Sequence, residues 1–303
     1  MLTLALDIGG TKIAVGLVDP AGELVHRATE PTPKDQQAEH VWGVIERMIA
    51  DAAKVAHGAI RAIGIGSAGP IDVVAGTVSP VNIASWQGFP LRDRVAVAMP
   101  DVPVQLVGDG VCMALGEHWR GAGRGAPFVL GMVVSTGVGG GLVLDGKPYT
   151  GRTGNAGHVG HAVVELDGQP CPCGGHGCVE TVASGPWMTR WALANGWAGP
   201  PGADAVALGE AAEAGDPLAL TAFRRSATAL AAMIASVGAV CDLDLAIIGG
   251  GVAKSGPILF DPLRAALADY TGLSFIRGLQ VVPAALGGDA GLIGAAALVS
   301  SVT

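Results

Sequence analysis

The chain has 303 residues, half of them hydrophobic, and carries a formal net charge of -8 at pH 7. This length and hydrophobic content provide a substantial core for one large or two compact domains, which excludes an intrinsically disordered chain. The acidic balance disfavours binding to nucleic acid or to anionic lipid, because both attract basic surfaces. We therefore expect small-molecule partners, no nucleic acid and no membrane.

Short apolar or alternating runs separated by glycine turns predict one α/β unit over about the first 107 residues. The predicted strands cover residues 2–6, 13–18, 24–29, 60–65 and 103–107, and the predicted helices cover 36–56 and 110–120. The first three strands should form a meander, because only short turns separate them. The first residues show no basic region followed by a cleavable apolar stretch, so we expect no signal peptide and a cytoplasmic protein.

The pattern then starts again from residue 129. Strands are predicted at 129–135, 140–144, 243–248 and 279–283, and helices at 179–194, 205–214, 216–240, 257–268 and 290–300. Both units begin with a strand, a glycine turn and a strand, which indicates a duplicated architecture. The stretch 231–253 is apolar enough to span a membrane, but Asp242 and Asp244 interrupt it, so a buried helix followed by a buried strand fits better.

Three glycine turns at strand ends are candidates for holding a nucleotide. Residues 7–12 read Asp-Ile-Gly-Gly-Thr-Lys between two strands, so backbone N–H groups can approach an anion beside a hydroxyl and an ammonium group. Residues 135–141 and 247–252 contain similar turns. One such turn alone would more often be an ordinary hairpin. Three in this order match the plan of actin-like ATPases and sugar kinases, in which two hairpins hold phosphates and a later loop holds the nucleoside.

Two further glycine motifs do not predict nucleotide sites. Residues 64–69 satisfy the dinucleotide-binding fingerprint, but Pro70 and the apolar run after it leave no helix that could receive a pyrophosphate. Residues 141–147 are similar to a P-loop, but Pro148 stands where a hydroxyl residue would hold Mg²⁺. We predict a hairpin turn at 145–147 instead.

A histidine and three cysteines have the spacing of a zinc site. His161 lies ten residues before Cys171, and Cys171, Cys173 and Cys178 supply three thiolates within eight residues. One imidazole and three thiolates suit tetrahedral Zn²⁺, whereas a disulfide is disfavoured in a cytoplasmic chain. His176 is an alternative to His161 as the nitrogen ligand. Because four protein ligands leave no open position, we expect a structural zinc ion.

Together these motifs resemble the ROK family (repressors, open reading frames and kinases) over essentially the whole chain. The shared signature consists of 134–142, Gly151, Gly154, the 156–161 segment Ala-Gly-His-Val-Gly-His and the Cys-x-Cys-Gly-x-x-Gly-Cys-x-Glu run that ends at Glu180. The resemblance implies an α/β, actin-like (ribonuclease H-like) fold with two domains and a cleft between them. We expect the smaller domain to comprise 1–107 and 291–303, and the larger to comprise 108–290. The implied activity is transfer of the ATP γ-phosphoryl group to a sugar hydroxyl, usually the one on C6.

The resemblance also implies a role for each candidate site residue. Asp109, at a predicted strand-to-helix junction, would be the catalytic base, and an N-cap role is compatible with that chemistry. Asp7 would help to hold Mg²⁺. Contacts to ATP would come from Gly9, Gly10, Thr11, Lys12, Thr136 and Gly137 at the phosphates and from Gly249, Gly250 and Gly251 at the nucleoside. The sugar would be contacted by Gly69, Pro70, Asn82, Asp109, His158, His161 and Glu180, although Asn82 fits a simple loop residue equally well.

Two departures from the family pattern bear on the acceptor. The family usually has Asn where Gly108 stands and Glu where His158 stands. His158 is similar to the histidine of bacterial N-acetylmannosamine kinases of the family, so we expect an N-acylhexosamine acceptor. Glucose is the alternative, and the loss of both side chains is also compatible with a relaxed acceptor preference.

Two other kinds of protein compete with a kinase. A repressor of the same family would need a DNA-binding segment, but the first glycine loop starts six residues after Met1, so a kinase is favoured. A non-catalytic sugar-binding protein is disfavoured by the presence of Asp7, Asp109 and both phosphate hairpins. Measuring ATP consumption with a panel of sugars would discriminate them. The resemblance further implies a homodimer or a homotetramer.

Overall fold

The structure is a computed structural model that describes residues 1–34 and 37–300. Its strands are β1 Leu2–Ile8, β2 Lys12–Val18, β3 Leu24–Pro31, β4 Ile60–Ser67, β5 Ile71–Asp72, β6 Thr77–Val78, β7 Val104–Gly108, β8 Phe128–Val134, β9 Val138–Leu144, β10 Lys147–Tyr149, β11 Leu245–Gly249 and β12 Gln280–Pro283. Its helices are α1 Ala38–Ala56, α2 Leu91–Ala98, α3 Asp109–Arg120, α4 Glu180–Ala183, α5 Gly185–Ala194, α6 Ala205–Glu213, α7 Pro217–Cys241, α8 Pro257–Tyr270 and α9 Ala290–Ser300.

The two large sheets share one topology. The first has the strand order β3-β2-β1-β4-β7 and the second the order β10-β9-β8-β11-β12. In each sheet the first three strands in the chain are antiparallel neighbours, and the last two lie parallel to the first. The duplicated architecture predicted from the sequence is therefore confirmed.

Helices cover both faces of each sheet, which explains why the central strands are almost continuously apolar. On β1, Leu4 and Leu6 belong to a buried cluster with α1, whereas Ala5 belongs to a second cluster with α3 and α9. A third cluster joins the second sheet to α5, α6, α7 and α8. The cluster that contains α3 and α9 includes residues of both sheets, so these two helices lie between them.

Two glycines allow α3 and α9 to approach each other closely. A Cβ atom on Gly294 would overlap the carbonyl oxygen of Cys112, and a Cβ atom on Gly116 would overlap the carbonyl oxygen of Ala290. The helices therefore meet backbone to backbone at these positions, where any side chain would push them apart. Helix α3 also packs on β8 and β9, and α9 on β1 and β4. The division at 107/108 and 290/291 into two domains stays a prediction.

One local prediction differs from the structure. The single helix predicted for 179–194 is wrong, because Ser184 is extended (φ -73, ψ 152) and separates α4 from α5, whose first turn contains Pro186. Helix α2 and the hairpin β5–β6 were not predicted. The predicted start of the first helix at Gln36 lies outside the described residues, and the helix is described from Ala38.

Helix α7 is long and apolar enough to cross a membrane by length and composition. In the most apolar 18-residue stretch of this helix, 61% of the residues are buried inside the protein. It packs against α8 and also contacts α4, α5 and α6, and this burial accounts for its composition. The stretch 231–253 is thus a buried helix followed by the buried strand β11, as predicted. The cellular location stays a prediction.

Candidate active site and metal centre

Two carboxylates lie at one edge of the first sheet. Asp7 is in β1 beside Gly66 of β4, and Asp109 follows the end of β7, where Gly108 pairs with Ser67. Because β1, β4 and β7 are parallel, their carboxyl ends meet at the same edge and bring the two side chains into one site. Asp109 is the first residue of α3, whereas the N-cap is Gly108. The N–H of Gly110 donates a 2.7 Å hydrogen bond to Asp109 Oδ1, which orients the carboxylate.

The first glycine turn closes β1 and β2 into a hairpin. The N–H of Gly9 donates to the carbonyl of Lys12 at 3.0 Å, and the Thr32 hydroxyl donates to the carbonyl of Gly9 at 2.6 Å. A Cβ atom on Gly10 would overlap the side chain of Asn82. The structure thus places Asn82, a predicted sugar contact, directly against the turn predicted to bind phosphate.

The second glycine turn is supported by Glu180. The N–H of Ser135 donates to the carbonyl of Gly137 at 2.8 Å, which closes the turn between β8 and β9. The N–H of Val138 donates a 2.8 Å hydrogen bond to Glu180 Oε2, and a Cβ atom on Gly137 would lie 2.7 Å from the same oxygen. Glu180, a predicted sugar contact, therefore also holds the second predicted phosphate turn.

The third glycine turn borders a cavity of about 670 Å³. Gly250 has φ +97, and a Cβ atom there would overlap the carbonyl oxygen of Val134 at the start of the second turn. The cavity is lined by Ser135, Thr136, Gly251 and residues of α5 and α6, among them Arg190 and Glu210. Its volume suits a small-molecule ligand. The contribution of α5 and α6 was missed by the sequence analysis, because these helices carry no motif.

His158 faces the turn at Gly69. Its Nδ1 atom lies 2.8 Å from the carbonyl oxygen of Asn155, and a Cβ atom on Gly69 would lie 3.3 Å from its Nε2 atom. The structure thus brings together Gly69 and His158, two of the residues predicted to contact the sugar.

The predicted metal ligands form one cluster. One donor atom from each of His161, Cys171, Cys173 and Cys178 lies within 4.8 Å of the other three. The distance from Cys173 Sγ to Cys178 Sγ and the distance from Cys171 Sγ to His161 Nδ1 are both 3.7 Å. Zinc–sulfur bonds of about 2.3 Å in a tetrahedron place two sulfurs about 3.8 Å apart, so the donor set fits zinc.

The same distances decide between the alternatives left open by the sequence. A separation of 3.7 Å is far longer than a disulfide bond, which measures about 2.05 Å, and the cysteines are free thiols. His161, not His176, completes the cluster. Burial raises the pKa of Cys171 and Cys178, whereas the N–H of Gly175 lowers that of Cys173. A divalent cation would hold all three as thiolates.

Comparison with known proteins identifies the family. The model of the ROK family matches residues 3–302. The chain belongs to the ROK family. It is 38% identical to a glucokinase of Thermotoga maritima (98% of this chain, 96% of that protein) and 36% identical to an N-acetylmannosamine kinase of Yersinia pestis (97% and 96%). A ROK family glucokinase from Streptomyces griseus, solved with glucose and AMPPNP, has a TM-score of 0.82, 36% identity and coverage of 98% of this chain and 99% of that one.

These likenesses confirm the expected α/β, actin-like fold of ROK kinases. In this ROK chain, burial raises the pKa of both cleft carboxyls. The pKa of Asp7 rises to about 6, first through desolvation and then through the charge of Asp109, while Lys12 and Arg27 act in the opposite direction. Desolvation also raises the pKa of Asp109, and the hydrogen bond from the N–H of Gly110 acts in the opposite direction. A carboxylate whose pKa is raised toward neutral is a better proton acceptor at neutral pH.

We expect Asp7→Asn to stabilise the ligand-free ROK protein at neutral pH. Folding raises the pKa of Asp7 from 3.8 to about 6, so the folded state disfavours the carboxylate. The carboxylate therefore destabilises the wild-type protein. This loss of stability is absent at pH values below the unfolded-state pKa, grows between the two pKa values and is complete above the folded-state pKa. It should reach on the order of 3 kcal/mol, since one pKa unit corresponds to about 1.4 kcal/mol.

Urea unfolding of the Asp7→Asn variant and of wild type, without nucleotide or Mg²⁺, tests this at two pH values. The difference in unfolding free energy should be large at pH ~8 and close to zero at pH ~4. Asp145→Asn, in the exposed turn between β9 and β10, is the control and should show no such change. A difference independent of pH would contradict the electrostatic origin.

Proposed function

We propose that this ATP-dependent sugar kinase phosphorylates the C6 hydroxyl of an N-acetylated hexosamine, with N-acetylmannosamine and N-acetylglucosamine as the favoured acceptors. The kinase class follows from the family and from the relatives that match over nearly the whole chain. The choice of acceptor rests chiefly on the orientation of His158 toward Gly69.

Asp109 takes the catalytic role in this proposal. Its carboxylate, oriented by the N–H of Gly110, accepts the proton of the attacking sugar hydroxyl. The turns 9–12 and 135–137 supply backbone N–H groups to the ATP phosphates. Gly251, at the end of the turn 249–251, lines the cavity that takes the nucleoside. Mg²⁺ bound with ATP would neutralise phosphate charge, and Asp7 is the residue that would hold it.

His158 can offer the acceptor sugar a hydrogen-bond acceptor at Nε2. A carbonyl oxygen can only accept, so the 2.8 Å contact with Asn155 places the proton on Nδ1 and leaves the lone pair of neutral His158 on Nε2. A Cβ atom on Gly108 would meet no atom of the described residues within 4 Å. The space of the family's usual Asn is therefore open. An acetamido group needs such room and has an N–H that can donate to His158.

Glucose is the second candidate acceptor, because the chain is 38% identical to a protein named as a glucokinase. A direct assay of ADP release distinguishes the two candidate acceptors, an N-acetylated hexosamine and glucose. Purified protein with Mg-ATP would be tested against glucose, mannose, N-acetylglucosamine, N-acetylmannosamine and fructose, and zinc content would be measured on the same sample. The highest kcat/KM for an N-acetylated sugar supports the proposal, and the highest kcat/KM for glucose contradicts it.

We expect His158→Glu to shift acceptor preference toward glucose. The substitution replaces an imidazole with a carboxylate and restores the residue usual in the family. The ratio of kcat/KM for the N-acetylated sugar to that for glucose should fall at least about tenfold. Adding Gly108→Asn should lower the ratio further, because the open space is then filled. His26→Glu, on the edge strand β3, is the control, and an unchanged ratio in His158→Glu would exclude this residue as the determinant.

A further inference from the structure

His158 depends on one residue for its position. The residue is exposed, and in the described part of the chain its ring makes one hydrogen bond, from Nδ1 to the carbonyl oxygen of Asn155 at 2.8 Å. This bond restrains rotation of the exposed ring, so the position of the Asn155 carbonyl helps to set its direction. Whatever fixes the backbone at Asn155 therefore fixes the direction of Nε2.

The side chain of Asn155 is hydrogen-bonded to the turn that follows β4. Its Oδ1 accepts from the N–H of Ile71 at 2.9 Å, and its Nδ2 donates to the carbonyl of the same residue at 2.8 Å. Ile71 is 5% exposed and faces Val78 in the hairpin β5–β6, but Val78 directs its own N–H and carbonyl to Phe89. The amide of Asn155 therefore satisfies both backbone polar groups of a buried residue, which is costly to undo.

We propose that Asn155 is the positioning residue for acceptor recognition, an inference that rests on the proposed function. Its side chain holds the Gly69–Ile71 turn, and its backbone carbonyl holds the ring of His158. A single residue therefore fixes the relative position of the two parts of the predicted sugar site. The proximity of Gly69 to both partners agrees with this, since a Cβ atom there would lie 3.3 Å from His158 Nε2 and 3.6 Å from Asn155 Oδ1.

The test compares Asn155→Asp and Asn155→Ala with wild type. Asn155→Asp keeps one acceptor for the N–H of Ile71 but sets a carboxylate oxygen against its carbonyl, whereas Asn155→Ala removes both bonds. We expect KM for the preferred sugar to rise at least about tenfold and KM for ATP to change less than about twofold. The ratio of kcat/KM between N-acetylated sugar and glucose should also fall toward one.

Asn195→Ala is the matched control, because its Nδ2 makes one 2.8 Å bond to the carbonyl of Trp191 at the end of α5. A purely structural role of Asn155 would reduce activity equally for every sugar, so an unchanged KM and an unchanged ratio overturn the proposal. All rates are normalised to the zinc content of each sample. If Asn155→Asp fails to fold, Asn155→Ala carries the test.

The outcomes also separate this inference from the proposed function. If wild type prefers glucose, the proposed acceptor fails, but the KM for glucose in the Asn155 variants still tests positioning. If wild type prefers an N-acetylated sugar and the variants keep both its KM and the ratio, the positioning role alone fails. If wild type phosphorylates no sugar, both proposals fail.

Discussion

Replacing Asp109 with asparagine is expected to lower kcat for sugar phosphorylation by about 10²–10⁴-fold, because an amide cannot take the proton of the attacking hydroxyl. The fold should persist, since the amide oxygen can still accept from the N–H of Gly110. Removing the negative charge of Asp109 should also lower the pKa of Asp7, which that charge helps to raise. ADP release gives kcat, and thermal melting with zinc analysis checks the fold.

The control for Asp109→Asn is Asp101→Asn, at an exposed position with φ +66 that asparagine adopts readily. Its kcat should equal that of wild type. The wild-type kcat/KM should also fall as the pH decreases through the raised pKa of Asp109, since the protonated acid is no base. An Asp109→Asn variant with wild-type kcat would refute the assignment of Asp109 as the base.

Loss of the metal cluster is the second large effect. Cys173→Ser is expected to lower zinc content and to reduce the melting temperature on the order of 10 °C, because the loop that contains the four ligands loses its cross-link. Stability should fall while catalysis is retained, since four protein ligands leave no open position on the metal for a substrate. The kcat of the protein that remains folded at low temperature should stay close to that of wild type.

Metal analysis, thermal melting with and without a zinc chelator, and activity per folded protein check this prediction. Cys241→Ser, at the end of α7 and outside the cluster, is the control and should keep its zinc. Wild-type protein that melts at the same temperature with and without metal would show that the cluster contributes nothing to stability.

The sequence predicted those features whose signals are local. The turns 9–12, 135–137 and 249–251 combine glycines with strand ends, and the structure places each at a strand end. The metal cluster was also predictable, because thiolate and imidazole spacing is restrictive. The duplication was visible because two units begin with the same order of strand, turn and strand. In each of these features the signal lies within short stretches of the sequence.

The features that were missed depend on residues far apart in the sequence. The walls of the cavity on α5 and α6 meet the turn at Gly251 only in the folded protein. Asn155 lies 84 positions from Ile71, and nothing around either residue indicates the pair of hydrogen bonds. Pro186 could have indicated the break before α5, because proline favours the first turn of a helix.

The backbone contact between α3 and α9 changes how sequence constancy in this family should be understood. Gly116 and Gly294 lie where any larger side chain would overlap the facing helix, so selection should preserve them as strictly as a catalytic group. Conservation of these glycines among relatives would reflect the limited space between two backbones, whereas conservation of Asp109 would reflect its chemical role. An alignment shows the glycines and the aspartate alike as invariant columns. Mapped onto the structure, these columns would make the active site appear to extend into the interface between the two sheets, where α3 and α9 pack.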